Sequence, residues 1–293
     1  LLLRARDGTA RLVGATDAGE AVFWKAAEDL RLLSRVPIGG QVSCAAAGPA
    51  SLDGYFGLMD GRIVRVVPGA GEAEVVVSAS GIPTSLAIGD AKGDGVDDIA
   101  ATVLQMDRSD LVVWLGEREG IFDRDRPRVV LLPGTGRAVL FAPAEDGERL
   151  LLLCHGPEVG LSGVSIWSVS EEDSVSGVDL PGLTGKSVHR MIRGDWNGDG
   201  TSDLAVLTGG SRSQLEFFLI DAEGRRGRPA SAVPVSGPDV GLLVADLDGS
   251  GAEDLLVAEG AFRIWLSDGA GRMAALPTPP RGTPTRLGRL SLD

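Results

Sequence analysis

The sequence predicts an all-β protein, a β-propeller of about six four-stranded blades, and three observations favour this class. A unit made of an apolar run, an acidic turn and a second apolar run recurs with a period of about 50 residues. The apolar runs within a unit have the length of short strands. No stretch keeps the 3.6-residue apolar period of an amphipathic helix. Repeated units of short strands bury their faces only by stacking on the next unit, which is how a propeller is built.

The clearest copies of the unit surround three acidic turns at 90–98, 195–203 and 246–254. Weaker copies have turns at Asp7, Asp53 and Asp146, which lack the full set of oxygen side chains and are expected to be plain turns. We therefore expect one propeller domain over residues 1–293. Its approximate blades are 1–38, 39–80, 81–133, 134–183, 184–234 and 235–284.

The last residues, 285–293, resemble the first strand of a blade. They would either pair into the first blade and close the ring, which removes exposed sheet edges, or begin a further blade. Six blades are favoured, and seven remain open.

An aromatic pair or residue recurs in a strand about 15 residues after most of the acidic turns. It could form a ring of ligand-stacking aromatics or fill the wedge between neighbouring twisted sheets, and packing is the favoured interpretation. The members are Phe23-Trp24, Val113-Trp114, Ile166-Trp167, Phe217-Phe218 and Ile264-Trp265.

Composition excludes several classes of protein. Hydrophobic residues make up 43% of the 293 residues, enough to build a core. Twenty-eight Lys and Arg residues against 41 Asp and Glu give a net charge of −13, which disfavours nucleic acid as a partner and suits cations. No apolar run reaches the length of about 18 residues that a membrane span requires.

The turn at 195–203 has the ligand pattern of a calcium loop. It places oxygen side chains at positions 1, 3, 5 and 9, and calcium prefers six to eight hard oxygen ligands. Gly200 at position 6 permits a sharp turn, and Val206 at position 12 excludes an EF-hand, which needs Glu there. The predicted ligands are Asp195, Asn197, Asp199, Asp203 and the backbone carbonyl of Thr201.

Two further turns have weaker versions of this pattern. The turn at 246–254 has a hydroxyl in place of one carboxylate. Its predicted ligands are Asp246, Asp248, Ser250, Ala252 and Asp254. The turn at 90–98 has Lys92 at position 3, where an ammonium would repel calcium and could form an internal salt bridge instead. Its candidates are Asp90, Asp94, Val96 and Asp98.

Residues 195–204 match the Asp-x-Asn-x-Asp-Gly-x-x-Asp-Leu motif of the FG-GAP or VCBS repeat family, and 246–255 and 90–99 match it with one change each. The chain thus resembles that family, closer to its bacterial secreted branch and more distantly similar to the integrin α head. The resemblance implies a calcium-bound propeller outside the cytoplasm, extracellular or periplasmic, used for adhesion, ligand binding or scaffolding.

Signatures of catalysis are weak. The chain has two histidines, His155 and His189, and neither a His-Glu-x-x-His nor a Gly-x-Ser-x-Gly motif. We therefore expect a non-catalytic module that binds a protein or glycan, alone or as part of a longer surface protein. A lectin with repeated sugar pockets is the alternative, followed by a carbohydrate-active enzyme such as a polysaccharide lyase.

Overall fold

The computed structural model confirms the all-β propeller class, because every regular element in its described residues is a β-strand. The described residues are 2–4, 10–25, 31–48, 53–118, 121–132, 134–143, 149–155, 163–169, 175–180, 183, 186–209, 213–221, 227–237, 240–259 and 262–276.

The strands of the first three sheets follow one another along the chain. The first sheet contains β1 (Leu2–Arg4), β2 (Ala10–Ala15), β3 (Glu20–Lys25) and β4 (Arg31–Pro37). The second contains β5 (Val42–Ala47), β6 (Gly54–Leu58), β7 (Arg62–Val66) and β8 (Glu74–Ser78). The third contains β9 (Ile82–Gly89), β10 (Asp98–Leu104), β11 (Ser109–Trp114) and β14 (Arg128–Leu131). A separate two-stranded hairpin of β12 (Gly116–Arg118) and β13 (Ile121–Phe122) lies between β11 and β14 along the chain.

The next three sheets repeat the same antiparallel order. The fourth contains β15 (Gly136–Pro143), β16 (Arg149–His155), β17 (Gly163–Val169) and β18 (Val175–Asp179). The fifth contains β19 (Ser187–Gly194), β20 (Asp203–Gly209), β21 (Ser213–Ile220) and β22 (Gly227–Val235). The sixth contains β23 (Gly241–Ala245), β24 (Asp254–Ala258), β25 (Phe262–Ser267) and β26 (Met273–Ala275).

The hydrophobic core lies between sheets rather than within one of them. Five clusters of buried side chains each join one sheet to the next along the chain. The first strands of successive sheets are neighbours, as in the contacts of β9 with β5 and with β15. This is the radial stacking expected of propeller blades.

Five packed junctions therefore connect six four-stranded sheets in the part of the chain that the structure describes. The described residues include neither a packed junction between the sixth and first sheets nor a seventh four-stranded sheet. The predicted closing strand at 285–293 lies outside the described residues. Closure of the ring at six blades remains a prediction.

The recurring aromatics pack between sheets. Phe23, Trp114 and Phe217 are at most 1% exposed and belong to three different junctions. Trp167 and Trp265 are partly buried and pack against two of the clusters. These positions therefore favour the packing interpretation over a ring of exposed stacking platforms.

Candidate metal centres

The three acidic turns occupy one position in the fold. Each connects the first strand of its sheet to the second, in the third, fifth and sixth sheets. We refer to them as the Asp90 loop (90–98), the Asp195 loop (195–203) and the Asp246 loop (246–254). The order of the strands thus places equivalent oxygen-rich loops at the same end of each sheet.

The first aspartate of each loop accepts hydrogen bonds from the loop's own backbone. Asp195 Oδ1 accepts from the amides of Gly198 at 2.7 Å and Asp199 at 3.1 Å, and its Oδ2 accepts from Gly200 at 2.8 Å. Asp246 repeats this with Gly249, Ser250 and Gly251, and Asp90 with Asp94 and Gly95. The chain therefore wraps around a carboxylate that is held in one orientation.

The glycines at positions 4 and 6 of the loops make this wrapping possible. Gly198 and Gly200 have φ of +71° and +85° in the Asp195 loop, and the corresponding glycines of the other two loops are also left-handed. A side chain would be strained at such φ, so only glycine adopts it at little cost.

The last aspartate of each loop is buried and bonded both to its own loop and to the end of the third strand. Asp98, Asp203 and Asp254 are each at most 1% exposed. One oxygen accepts from the amide of loop position 2, as in the 3.1 Å bond from Trp196 to Asp203 Oδ2. The other accepts from an amide at or just after the end of the third strand of the same sheet. These donors are Gly116 at 2.6 Å for Asp98, Ile220 at 2.8 Å for Asp203 and Ser267 at 2.8 Å for Asp254.

Burial dominates the ionisation of these last aspartates. Desolvation raises the pKa of Asp98 and of Asp203 to about 7, although two backbone amides lower each of them. Burial likewise raises the pKa of Asp254. The neighbouring loop carboxylates add to the increase through repulsion. A divalent cation in the loop would reverse this preference, because it stabilises the charged form.

The Asp246 loop brings its carboxylates closest together. Oxygens of Asp246, Asp248 and Asp254 lie within 4.8 Å of one another, two of the residues exposed and one buried. Among the described residues this is the one group of three acidic, His or Cys side chains with that spacing. The donors are all hard oxygens, so the group fits Ca²⁺ or Mg²⁺ rather than a thiolate-preferring metal.

The Asp195 loop, which matches the ligand motif most fully, is arranged differently. Asn197 Nδ2 donates a 2.7 Å hydrogen bond to Asp199 Oδ2, and the amide of Thr201 donates to Asp199 Oδ1 at 2.7 Å. The side-chain amide of Asn197, at position 3, can donate a hydrogen bond to the carboxylate at position 5. Asp248, at position 3 of the Asp246 loop, is a carboxylate and has no N–H group to donate. The fullest motif and the tightest carboxylate group are therefore in different loops.

The Asp90 loop contains the ion pair expected from its sequence. Lys92 Nζ lies 3.7 Å from Asp94 Oδ2, at position 5. The remaining predicted ligand position, Val96, donates its amide to Asp94 Oδ1 at 3.0 Å. An internal ammonium thus partly neutralises this loop.

Two residues that matter to the loops were not found from the sequence. Glu253 bonds the backbone of Asp195 across a sheet junction, and Ser267 Oγ donates to the carbonyl of Trp196 at 2.5 Å. Of the other sequence candidates, Asp7 and Asp146 and the side chain of His155 lie outside the described residues.

Residues 195–257 match the family model of the FG-GAP-like repeat. This segment is similar to an FG-GAP-like repeat, and the chain as a whole has the fold of a β-propeller. The match covers the Asp195 and Asp246 loops together with the strands between them, so the repeat corresponds to the junction of the fifth and sixth sheets. No curated protein matches the chain in sequence.

Solved structures similar to this chain support the fold alone, because their sequences are distant. U3-55K has a TM-score of 0.62 and 14% identity over 94% of this chain and 80% of its own. A "putative 6-phosphogluconolactonase" from Bacteroides uniformis ATCC 8492 has a TM-score of 0.62 and 15% identity over 94% of this chain and 82% of its own. In the part of the propeller that the structure describes, no helix is long and apolar enough to cross a membrane.

Proposed function

We propose that the protein is a non-catalytic, calcium-stabilised propeller that works outside the cytoplasm as a binding, adhesion or scaffold module for a protein or glycan. The observation that carries this proposal is the repetition of one carboxylate arrangement in three loops. In each loop the first aspartate is encircled by backbone amides and the last is buried against the third strand. A bound cation would stabilise the charged form of each buried carboxylate and offset the repulsion from its loop neighbours.

Calcium suits these loops better than magnesium. The Asp246 loop offers three carboxylates, the Ser250 hydroxyl and the Ala252 carbonyl from one short segment. Calcium accepts six to eight such oxygens in flexible geometry, whereas magnesium usually keeps several waters in a strict octahedron. The bound ion would offset the repulsion between carboxylates and join the first and second strands of the sheet.

The same chemistry supports a location outside the cytoplasm. Loops of this kind are expected to be filled where free calcium is abundant, which is the case outside the cytoplasm. The resemblance to secreted FG-GAP propellers supports the same location. Immunodetection of the native protein in secreted and periplasmic fractions of its source cells would test it, and detection in the cytoplasmic fraction alone would contradict it.

One hydroxyl–imidazole contact lies in the described residues, and it does not form a catalytic triad there. Ser187 Oγ lies 3.3 Å from His189 Nε2, at the start of β19, where His189 is exposed. The described residues provide no carboxylate bonded to this imidazole, so the pair lacks the third group that orients a catalytic base.

Isothermal titration calorimetry with Ca²⁺ tests the metal part of the proposal. We expect saturable binding by the full chain and the loss of one site in the double variant Asp246→Asn with Asp248→Asn. The matched control is Asp17→Asn with Asp107→Asn, which removes two exposed carboxylates from turns at second-to-third strand connections. Binding that is absent from the wild type, or reduced equally in both double variants, would overturn it.

Partner class requires a separate measurement. A glycan array probed in calcium and again in chelator would separate a sugar-binding propeller from one that recognises protein. Calcium-dependent binding to related glycans would favour the lectin alternative. Release of unsaturated ends from an anionic polysaccharide would overturn the non-catalytic assignment.

A further inference from the structure

The Asp195 and Asp246 loops are directly bonded to each other across the junction of the fifth and sixth sheets. The amide of Glu253 donates a 2.7 Å hydrogen bond to the carbonyl oxygen of Asp195. Glu253 Oε2 in turn accepts a 2.8 Å bond from the amide of Asp195. One residue of the Asp246 loop therefore holds both polar backbone groups of the first residue of the Asp195 loop.

A second hydrogen-bonded path joins the buried carboxylates of the two loops. Asp254 Oδ1 accepts from the amide of Ser267, whose hydroxyl donates to the carbonyl of Trp196 at 2.5 Å. The amide of Trp196 then donates to Asp203 Oδ2 at 3.1 Å. Ser267, Trp196, Asp203 and Asp254 are all at most 6% exposed. The last ligand position of one loop is thereby connected to the last ligand position of the other through buried groups.

The two loop backbones also approach closely. A Cβ placed on Gly198 would lie 3.4 Å from the carbonyl carbon and oxygen of Gly251. A Cβ placed on Gly194 would lie 2.9 Å from Glu253 Oε2. The two loops therefore lie side by side, with little room for a side chain at Gly198 or Gly194.

In the part of the chain that the structure describes, the Asp90 loop is not bonded to a second acidic ligand loop. It lies in the third sheet, and the fourth sheet, which has no matching ligand loop in its sequence, separates it from the fifth. The hydrogen bonds described for Asp90, Asp94 and Asp98 all stay within the third sheet and its hairpin. The Asp90 loop can therefore be disabled without removing a described bond between the other two loops.

We propose that the Asp195 and Asp246 loops bind Ca²⁺ as a positively coupled pair, with Glu253 as the positioning residue that links them. The proposal rests on the calcium binding proposed above. An ion in the Asp246 loop orders residues 246–254 and so fixes Glu253, which holds Asp195 at the start of the second site. The second ion then binds to a loop that is already ordered, so its binding has a smaller cost in conformational entropy. By linkage, filling the Asp195 loop favours the Asp246 loop by the same factor.

Glu253 occupies position 8 of its loop and is not one of the predicted ligands. Two variants separate its hydrogen bonding from its charge. Glu253→Gln retains an oxygen that accepts from the Asp195 amide while it removes the charge. Glu253→Ala removes both.

Calorimetric Ca²⁺ titrations of the full chain test the coupling in a background with the Asp90 loop disabled by Asp90→Asn and Asp94→Asn. Asp195→Asn with Asp199→Asn leaves the Asp246 loop to be measured alone. Asp246→Asn with Asp248→Asn leaves the Asp195 loop to be measured alone. The protein with both loops intact is then measured in the same background. We expect the second ion to bind the two-loop protein at least about fivefold more tightly than independent sites would allow. Repeating the titrations at 0.5 M NaCl screens the repulsion between the two ions, and the factor should persist.

The position-253 variants decide the role of that residue. We expect the coupling factor to decrease in Glu253→Ala, which keeps the backbone bond of residue 253 to Asp195 and the Ser267 path, and to persist in Glu253→Gln, with unchanged far-ultraviolet circular dichroism in both. Independent binding in the two-loop protein, or an unchanged factor in Glu253→Ala, would overturn the proposal while calcium binding itself stands. No binding in any variant would overturn both proposals.

Discussion

Arg65 Nε donates a 2.7 Å hydrogen bond to Oδ2 of Asp53, and Arg65 Nη2 donates to the same oxygen. Asp53 precedes the second strand of the second sheet, next to the position at which the last aspartate of a calcium loop would lie. Its side chain is 8% exposed and that of Arg65 is 19% exposed. The second sheet therefore neutralises its acidic turn with a guanidinium group and has no ligand series.

Replacing this guanidinium should destabilise the protein whether or not calcium is present. Arg65→Ala leaves the Asp53 carboxylate buried without its main cation, at an expected cost of about 2 to 4 kcal/mol. Urea unfolding in calcium and in chelator measures it, and the two differences from wild type should agree. The double variant Asp53→Asn with Arg65→Met should recover part of the loss, because it leaves no unpaired charge. A loss that calcium restores would contradict this assignment.

Removal of calcium should lower the melting temperature. One site filled at about twentyfold its dissociation constant adds roughly 1.8 kcal/mol to the free energy of unfolding. For a chain of this size that corresponds to a decrease of several °C on chelation. Differential scanning calorimetry in millimolar Ca²⁺ and in excess chelator measures it, with equimolar Mg²⁺ as the comparison ion. Superimposable melting curves would argue against calcium binding.

Acid should weaken one specific interaction in the fifth sheet. Burial raises the pKa of Glu216, but hydrogen bonds from Lys186, Gln214 and Thr208 outweigh it and hold the pKa below its ordinary value. A lowered carboxyl pKa contributes stability above the unfolded-state pKa, and that stability is lost as pH falls through the folded-state pKa.

Glu216→Gln should therefore lose less stability than wild type when the pH falls from about 5 to about 3. The measurement is the free energy of unfolding in urea at several pH values. Glu72→Gln, a change at an exposed position in the turn before the outer strand β8, is the control and should follow the wild-type curve. Parallel curves for wild type and Glu216→Gln would contradict the prediction.

A backbone change in the Asp195 loop should affect stability and calcium together. Gly200 has φ +85° and no atom within 4 Å of a Cβ placed on it, so Gly200→Ala is disfavoured by conformation rather than by contact. We expect a cost of about 1 kcal/mol and weaker Ca²⁺ binding at that loop. Gly237→Ala is the matched control, since it also has open space around the added methyl group but no left-handed φ. Equal effects of the two changes would show that the conformation of Gly200 does not matter.

The positions of the acidic loops could be predicted from the sequence because their information is local. A ligand loop is nine consecutive residues with fixed spacing, and the apolar runs on either side become the first and second strands. The four strands of each sheet lie within one predicted repeat, apart from β22, whose last residue is Val235 while the predicted repeat ends at 234. The hairpin β12–β13 was not predicted, because strands of two or three residues are too short to show alternation.

The contacts that connect the loops could not be predicted from the sequence. Asp195 and Glu253 are 58 residues apart, and Trp196 and Ser267 are 71 residues apart. No local sequence pattern distinguishes Glu253 from the acidic residues beside it, or Ser267 from other serines at the ends of strands. Trp196 at loop position 2 is fully buried against Phe217, with ring centroids 5.1 Å apart, although its place in a polar turn favours exposure. The packing of one sheet on another decides these contacts.

The antiparallel order of the strands also determines where a tag can be inserted far from the acidic loops. Met106 is fully exposed in the turn between β10 and β11, at the opposite end of the third sheet from the Asp90 loop. An epitope inserted in that turn would immobilise the protein on a sensor chip with the acidic loops directed away from the matrix. Binding of soluble partners to the end of the propeller that carries the acidic loops could then be measured in buffer with calcium and in buffer with chelator.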